Sequence, residues 1–468
     1  MTSDSLWTSA EIAAATGGIA SADFAAHGVT FDSREVGPGD LFIALRGEHD
    51  DGHRFVEAAF AAGAAGALVD VAVPGPHVLV ADTMAALEAL ARASRARSHA
   101  RIIGITGSVG KTGTKEALAE ALARHAPGRV HRSVKSYNNH TGVPLSLARM
   151  PRACDYGVFE MGMNHAGELT ALTAMVRPHI AIVITIAPAH IGYFASLDAI
   201  ADAKAEVFSG LEAFSADEAG GVAIIPFDND YCGRLAVAAA SHGARTVTFG
   251  TREGADVRAR DWVSDDMSGG SLISTELHGA SLCFALAPPG DHWVANAMAV
   301  LAAVQAVGAD LAAAGLALAE LPGLAGRGAR YTLTLAGGGT ALLIDESYNA
   351  NPASMAATLS QLGRESAQRR IAVLGAMKEL GAGSGAFHAA LADDVIGAKV
   401  DMALLIGEEM AALAKALEGH AEFAHGSGIE PALAWLRAEL RAGDAVLVKG
   451  SNSIGLSRIV TALTGGVA

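Results

Sequence analysis

The chain has 468 residues, a formal net charge of −15, 51% hydrophobic side chains and only 18% charged ones. That length supports two to four domains with ample core. The acidic balance argues against nucleic-acid binding through a broad basic surface, but a nucleotide held by a local phosphate loop remains open.

In chain order, residues 1–5 show neither a basic run nor a following apolar stretch, so no signal peptide is expected. Residues 1–98 read as a small α/β unit. A helix over 9–16 stops at Gly17-Gly18. Strands over 29–34 and 41–45 flank a turn at Gly37-Pro38-Gly39-Asp40, which suits a hairpin. A helix over 54–62, strands over 67–71 and 77–80, and an Ala-rich helix over 83–97 complete the unit. The basic stretch 92–101 marks its boundary.

Residues 99–322 alternate strand and helix, with strands at 101–106, 156–160, 180–186 and 222–226. Their continuous apolar runs predict a mostly parallel sheet covered by helices on both faces. The run 180–189 is too short to span a bilayer, so no membrane insertion is expected. Residues 246–286 turn Gly-, Ser- and Thr-rich and predict a β-rich flap, followed by a helix over 296–308. After the linker at 321–326, strands at 341–344, 371–375, 403–406 and 445–448 predict a third α/β unit, 323–468, resembling a Rossmann-like topology without its glycine fingerprint. Cys154, Cys232 and Cys283 are widely spaced and form no C-x-x-C pair, as free thiols in a reducing cytoplasm would.

One stretch organises the middle unit. Ile102-Ile103-Gly104-Ile105 leads into Thr106-Gly107-Ser108-Val109-Gly110-Lys111-Thr112-Gly113. A strand, a glycine-rich turn and a helix start place backbone N–H groups around an anion. Lys111 adds a charge for the outer phosphates, and the Thr112 hydroxyl suits Mg²⁺. The generic phosphate loop has Gly where Ile105 stands, so a plain strand-to-helix turn is the alternative. Glu160 sits at a predicted strand tip, a usual place for a metal carboxylate, against the alternative of a solvated loop acid. His190 follows the next strand, where a structural histidine is the alternative to a ligand. Lys204 lies in the helical stretch 197–211, where a surface lysine is the plain reading.

Further motifs follow in order: Tyr137-Asn138-Asn139-His140-Thr141-Gly142-Val143-Pro144, Glu160-Met161-Gly162-Met163-Asn164-His165, Ala189-His190, and Ala203-Lys204-Ala205-Glu206. Ser347-Tyr348-Asn349-Ala350-Asn351-Pro352 and Val448-Lys449-Gly450-Ser451 come last. With the phosphate loop, this ordered set resembles the Mur ligases, ATP-dependent amide-forming enzymes of peptidoglycan precursor synthesis, over essentially the whole chain. The Mur-type loop lacks the first generic glycine, in keeping with Ile105.

The resemblance implies a cytoplasmic, monomeric ligase with a UDP-substrate domain (1–98), a central ATP-binding domain (99–322) and a C-terminal ligase domain (323–468). Its substrates would be ATP with Mg²⁺, UDP-MurNAc-tripeptide and D-alanyl-D-alanine. It implies that Thr112, Glu160, His190 and a carbamylated Lys204 hold metal, and that Asn296 meets adenine. It also places Arg330 near the phosphates and Glu346, or its neighbour Asp345, on the ribose. Ser33 and Arg34, from Phe31-Asp32-Ser33-Arg34, would meet the UDP group, with a bare hairpin as the alternative; Asn138, Asn139 and Thr141 would meet the muramoyl peptide, with turn formation as theirs. Trp293, Ala376 and Asn452 depart from the family pattern, which has Asn, Asp and Arg there. A sibling amide ligase and a non-catalytic nucleotide binder are the rival functions. The UDP-type domain disfavours a folate-type sibling, and Glu160, His190 and Lys204 together disfavour the non-catalytic binder.

Overall fold

The computed structural model describes residues 5–47, 50–189, 191–214, 220–264 and 270–465. Within them the chain builds three α/β units in sequence order, each around its own sheet.

The first unit has a five-stranded sheet, ordered Ile19–Ala20, His77–Leu79, Gly66–Val69, Asp40–Ile43, Gly28–Thr30. The expected hairpin between the first two predicted strands is not formed: Gly28–Thr30 and Asp40–Ile43 run parallel, with Gly28 opposite Asp40. The first of these strands stops early because Asp32 takes over the local hydrogen bonds. The Thr30 hydroxyl accepts the Asp32 N–H (3.1 Å), and the Asp32 carboxylate accepts the Arg34 N–H (3.0 Å). The freed segment then crosses back so that the next strand enters in the same direction.

The central sheet has nine strands. From one edge they run Val130–Arg132, Tyr156–Glu160, Arg101–Thr106, Ile180–Val183, Val222–Pro226, Arg245–Gly250, Val257–Ser264, Ser271–Leu277, Ala280–Leu286. The first seven are parallel neighbours, and the last three are joined antiparallel. The region expected as a flap is therefore the far end of this sheet. The burial of Ser271–Leu277 alternates strictly, with one face packed on the core that includes Ile273 and Phe284. Val130–Arg132 escapes the sequence pattern because it is a three-residue edge strand with no fully buried residue.

Arg101–Thr106 is the pivot. The chain leaves it to build two strands on one side, then crosses to Ile180–Val183 on the other. Such a reversal opens a crevice at the C-terminal strand ends. The third unit repeats the logic in a six-stranded sheet ordered Ala329–Thr334, Thr340–Glu346, Asp444–Lys449, Arg369–Gly375, Met402–Ile406, Phe423–Gly426, with only the first pair antiparallel. Its crevice, at Glu346 and Lys449, faces that of the central sheet across a shared cavity of about 570 Å³.

The central and third units touch around this cavity. Arg364 forms a two-pronged ion pair with Asp291. The Gly192 N–H donates to the Glu379 carbonyl (3.0 Å), and a Cβ on Gly192 would meet Gly381 N at 2.9 Å. Ile191 packs against the cores of both units. No helix among the described residues is long and apolar enough to cross a membrane.

Candidate nucleotide-binding site

The phosphate loop forms as the sequence implies. Thr106 ends a buried strand, Gly107 and Gly110 take φ values of 153° and 85°, and the helix Lys111–His125 begins directly after. A Cβ on Gly107 would lie 3.0 Å from Ile184 Cβ, so the loop can hug the neighbouring strand only with glycine there. Gly110 gives the helix no side-chain cap, so the first N–H groups of the helix remain for an anion. Ser108 fixes the loop from the side, its hydroxyl donating to the Ala187 carbonyl (2.8 Å) and accepting the Ala187 N–H (3.0 Å). Val109 lines the cavity.

Lys111 folds back so that its ammonium donates to the Gly107 carbonyl (2.7 Å). Desolvation pushes its pKa down and the Arg327 cation adds to this, while Glu160 pulls the other way. Glu160 is 1% exposed at its strand tip. One of its oxygens accepts the Thr112 hydroxyl (2.8 Å) and the other accepts the Asn138 amide (2.6 Å). Ser136 Oγ lies 3.3 Å from Thr112 Oγ1.

Lys204 sits on the helix Leu197–Ala205 with 2% exposure. Burial drives its pKa well below the usual lysine range, and the Lys111 ammonium pushes in the same direction. His190 lies outside the described residues.

On the far wall, Asn296 is buried and its amide is 3.3 Å from where a Cβ of Gly110 would stand. Trp293 packs on Gly113, where a Cβ would come within 2.9 Å of the indole. Glu346 faces the cavity, with Lys449 Nζ 3.4 Å from its carboxylate. Asp345, the alternative acid, points away. It is 3% exposed and accepts the Gly326 N–H (2.7 Å), the Ser347 N–H (3.1 Å) and the Ser347 hydroxyl (2.6 Å).

Other residues singled out in the sequence lie elsewhere. Arg330 is not brought to the cavity; it points to Glu365 in a two-pronged pair at 2.7 Å per contact. Arg327 is there instead. It donates to Ser136 Oγ (2.9 Å) and lies over the Tyr348 ring at 4.1 Å. The sequence signal was its place between Gly326 and Gly328, whose φ values of 73° and 96° turn the chain toward the cleft. Of the Asn138, Asn139, Thr141 group, only Asn138 joins the site. Asn139 accepts the Gly142 N–H (2.9 Å) and the Thr141 hydroxyl (3.0 Å) and so starts the helix Gly142–Ala148. Ser33 and Arg34 are on the first unit, where Arg34 grips Asp32 at 2.8 and 2.7 Å and holds that carboxyl at a pKa of about 2. Ala376 is wholly buried in the core of the third unit, and Asn452 is exposed.

An uncapped helix start behind a glycine loop, two lysines with depressed pKa values, a buried glutamate and a cleft shared by two α/β units define a phosphate-loop nucleotide-using enzyme. Family models place the chain more closely. "Mur ligase family, catalytic domain" matches residues 25–97, "Mur ligase middle domain" 105–304, and "Mur ligase, glutamate ligase domain" 330–452. The chain belongs to the Mur ligase family. It is 35% identical to UDP-N-acetylmuramoyl-tripeptide--D-alanyl-D-alanine ligase of Escherichia coli, over 96% of both chains. It resembles a crystal structure of MurF from Acinetobacter baumannii (TM-score 0.83, 29% identity, 98% of this chain and 99% of that one). It also resembles MurF ligase from Thermotoga maritima in complex with ADP (TM-score 0.73, 25% identity, 94% and 97%).

Proposed function

We propose that this chain is the ATP-dependent ligase that joins D-alanyl-D-alanine to UDP-MurNAc-tripeptide, giving UDP-MurNAc-pentapeptide, ADP and phosphate. The shared name of its relatives supplies the substrate pair, and the ADP complex supplies the nucleotide. The observation that carries the reading is the convergence of Lys111 and Arg327, one from each side of the cleft, on the uncapped helix start.

A carboxylate cannot expel oxide, so it must first be activated. A carboxylate oxygen of the tripeptide attacks the γ-phosphorus of ATP, the bond to the β-phosphate oxygen breaks, and ADP leaves. The dipeptide amine then attacks the acyl-phosphate carbon. The tetrahedral adduct collapses by expelling phosphate, and the amine loses a proton. Lys111 and the helix N–H groups hold the γ-phosphoryl group, and Arg327 offsets the charge spreading over its oxygens. Asn138 and Thr112 orient Glu160. Asn296 meets the adenine edge, and Glu346 accepts the ribose hydroxyl protons.

Thr112, Glu160, Ser136 and Asn138 offer oxygen donors of the kind Mg²⁺ takes. Such an ion keeps water and phosphate oxygens as most of its ligands. The ion would screen the phosphoryl oxygens from the incoming carboxylate. Lys204, if its amine is free to add CO₂, would become an anionic ligand to it; its desolvated setting supplies the neutral amine this needs. Ser33 and Arg34 would receive the UDP group. The three units, 1–98, 99–322 and 323–468, would act as a cytoplasmic monomer.

The test is phosphate release from ATP with Mg²⁺ and UDP-MurNAc-tripeptide, with and without D-alanyl-D-alanine. Release that needs both substrates, with a pentapeptide product by mass, is expected. Release only with other acceptors would make the chain a sibling ligase; tight ATP binding without release from any pair would make it a non-catalytic binder.

A further inference from the structure

One turn after Lys111, the same helix carries a second lysine that the reaction does not use. The Lys115 side chain is 0% exposed. Its ammonium donates to the carbonyls of Ser133 (2.8 Å) and Lys135 (2.6 Å) and lies 2.8 Å from Glu116 Oε1. Three N–H donors thus meet three acceptors, leaving none for a ligand. Glu116 is fixed in turn by Arg132 Nε at 2.7 Å.

The two carbonyls belong to a segment in an unusual conformation. Lys135 has φ of 52°, the left-handed region that non-glycine residues rarely enter. That turn aims both carbonyls at one buried ammonium. The segment then delivers its next residues to the site. Ser136 Oγ reaches Thr112 (3.3 Å) and accepts from Arg327 (2.9 Å), and the Asn138 amide donates to Glu160 (2.6 Å). At its start, Ser133 Oγ accepts the Glu160 N–H (3.2 Å). Among the described residues, the side chains hydrogen-bonded to Glu160, apart from Thr112, belong to the stretch that Lys115 holds.

We infer that Lys115 is a positioning residue. Its ammonium pins segment 133–138 in a left-handed turn that sets Asn138 against Glu160 and Ser136 between Thr112 and Arg327. This rests on the reading that phosphoryl transfer occurs at Lys111 and Glu160.

The experiment compares Lys115→Met, which keeps length and burial but has no donors, with Asn138→Ala and the double variant. Thermal melting, ADP affinity by calorimetry, and kcat and KM for phosphate release are measured for each. Lys115→Met should fold and bind ADP like the wild type, with kcat lowered about 10- to 100-fold, the range for partners that act through another residue. The double variant should be no slower than the slower single variant, because both changes release the same contact. Multiplied effects, or a lowered melting temperature with unchanged kcat, would overturn the inference. Lys115→Arg keeps donors and should restore most of kcat; if Lys115→Met does not fold, Lys115→Gln, too short to reach both carbonyls, combined with Asn138→Ala carries the same comparison. Wild-type protein that releases no phosphate with its substrate pair would instead defeat the functional reading. An active wild type with an equally active Lys115→Met would defeat only the role of Lys115.

Discussion

The central cleft and the first unit handle charge in opposite ways. In the cleft, Lys111 rests on a carbonyl and Arg327 on a hydroxyl and a tyrosine ring, and the Lys111 ammonium acts on the buried Lys204. In the first unit the cations around the expected UDP site are already matched. Arg34 holds Asp32, Arg46 bridges Asp51 and Asp70, and His53 lies between the same two acids. The difference separates a site poised for an anion from a surface that has neutralised itself. A polyphosphate entering the cleft gains full attraction in a desolvated setting, whereas a diphosphate on the first unit must compete with carboxylates already in place.

The sharpest way to break this contrast is to remove the cleft's own cations. Lys111→Ala should lower phosphate release by about 10³-fold or more, since the γ-phosphoryl group then loses the ammonium that holds it. Binding of the UDP substrate, measured by calorimetry, should persist; normal turnover would sink the phosphate-loop assignment. Arg327→Ala should follow, with kcat down about 10²- to 10³-fold and KM for ATP little changed. Arg330→Ala is the control. Its guanidinium is tied to Glu365, so its effect should appear in melting temperature and not in kcat.

Those two arginines show where sequence reading stops. Both lie in Gly326-Arg327-Gly328-Ala329-Arg330, and only the flanking glycines set Arg327 apart from Arg330. The glycine turns aim Arg327 into the cleft, whereas Arg330 has entered the strand Ala329–Thr334 and meets an acid 35 residues away in sequence. The phosphate loop and Glu160 were legible because a buried parallel strand writes itself as an apolar run, and its C-terminal tip is where chemistry gathers. Direction of pairing was not legible in the first unit. The segment between Gly28–Thr30 and Asp40–Ile43 contains good turn residues, yet the strands run parallel. Asn138 and Asn139 are chemically identical neighbours, and only the fold sends one to Glu160 and the other to a helix start.

Lys204 tests the same contrast through stability. Its pKa is lowered in the folded chain, so between that value and the ordinary lysine value near 10.5 the unfolded chain binds more protons. Stability therefore rises with pH across that window, and below it the penalty for burying the ammonium is present in full. Lys204→Met removes the penalty. In CO₂-free buffer it should melt above the wild type at neutral pH, with the gap closing as pH approaches 10.5. Its turnover should be lost. Added bicarbonate should raise the melting temperature of the wild type and leave Lys204→Met unmoved, and ¹³C-labelled bicarbonate should give the wild type a carbamate resonance. A bicarbonate response shared by both proteins would place the CO₂ effect elsewhere.

The smallest effect belongs to the first unit. Arg34 is 87% exposed and already engaged with Asp32, so whatever it lends to a UDP group is reduced by water, salt and its partner. Arg34→Ala should raise KM for UDP-MurNAc-tripeptide by only about threefold to tenfold, leave kcat alone, and lose its effect as salt increases. Asp32→Asn frees the guanidinium and should act in the opposite direction, lowering KM. If Arg34→Ala instead costs as much as Arg327→Ala, the Asp32 pair must break when substrate arrives, and the first unit would then be a second poised site whose charge is masked until it is needed.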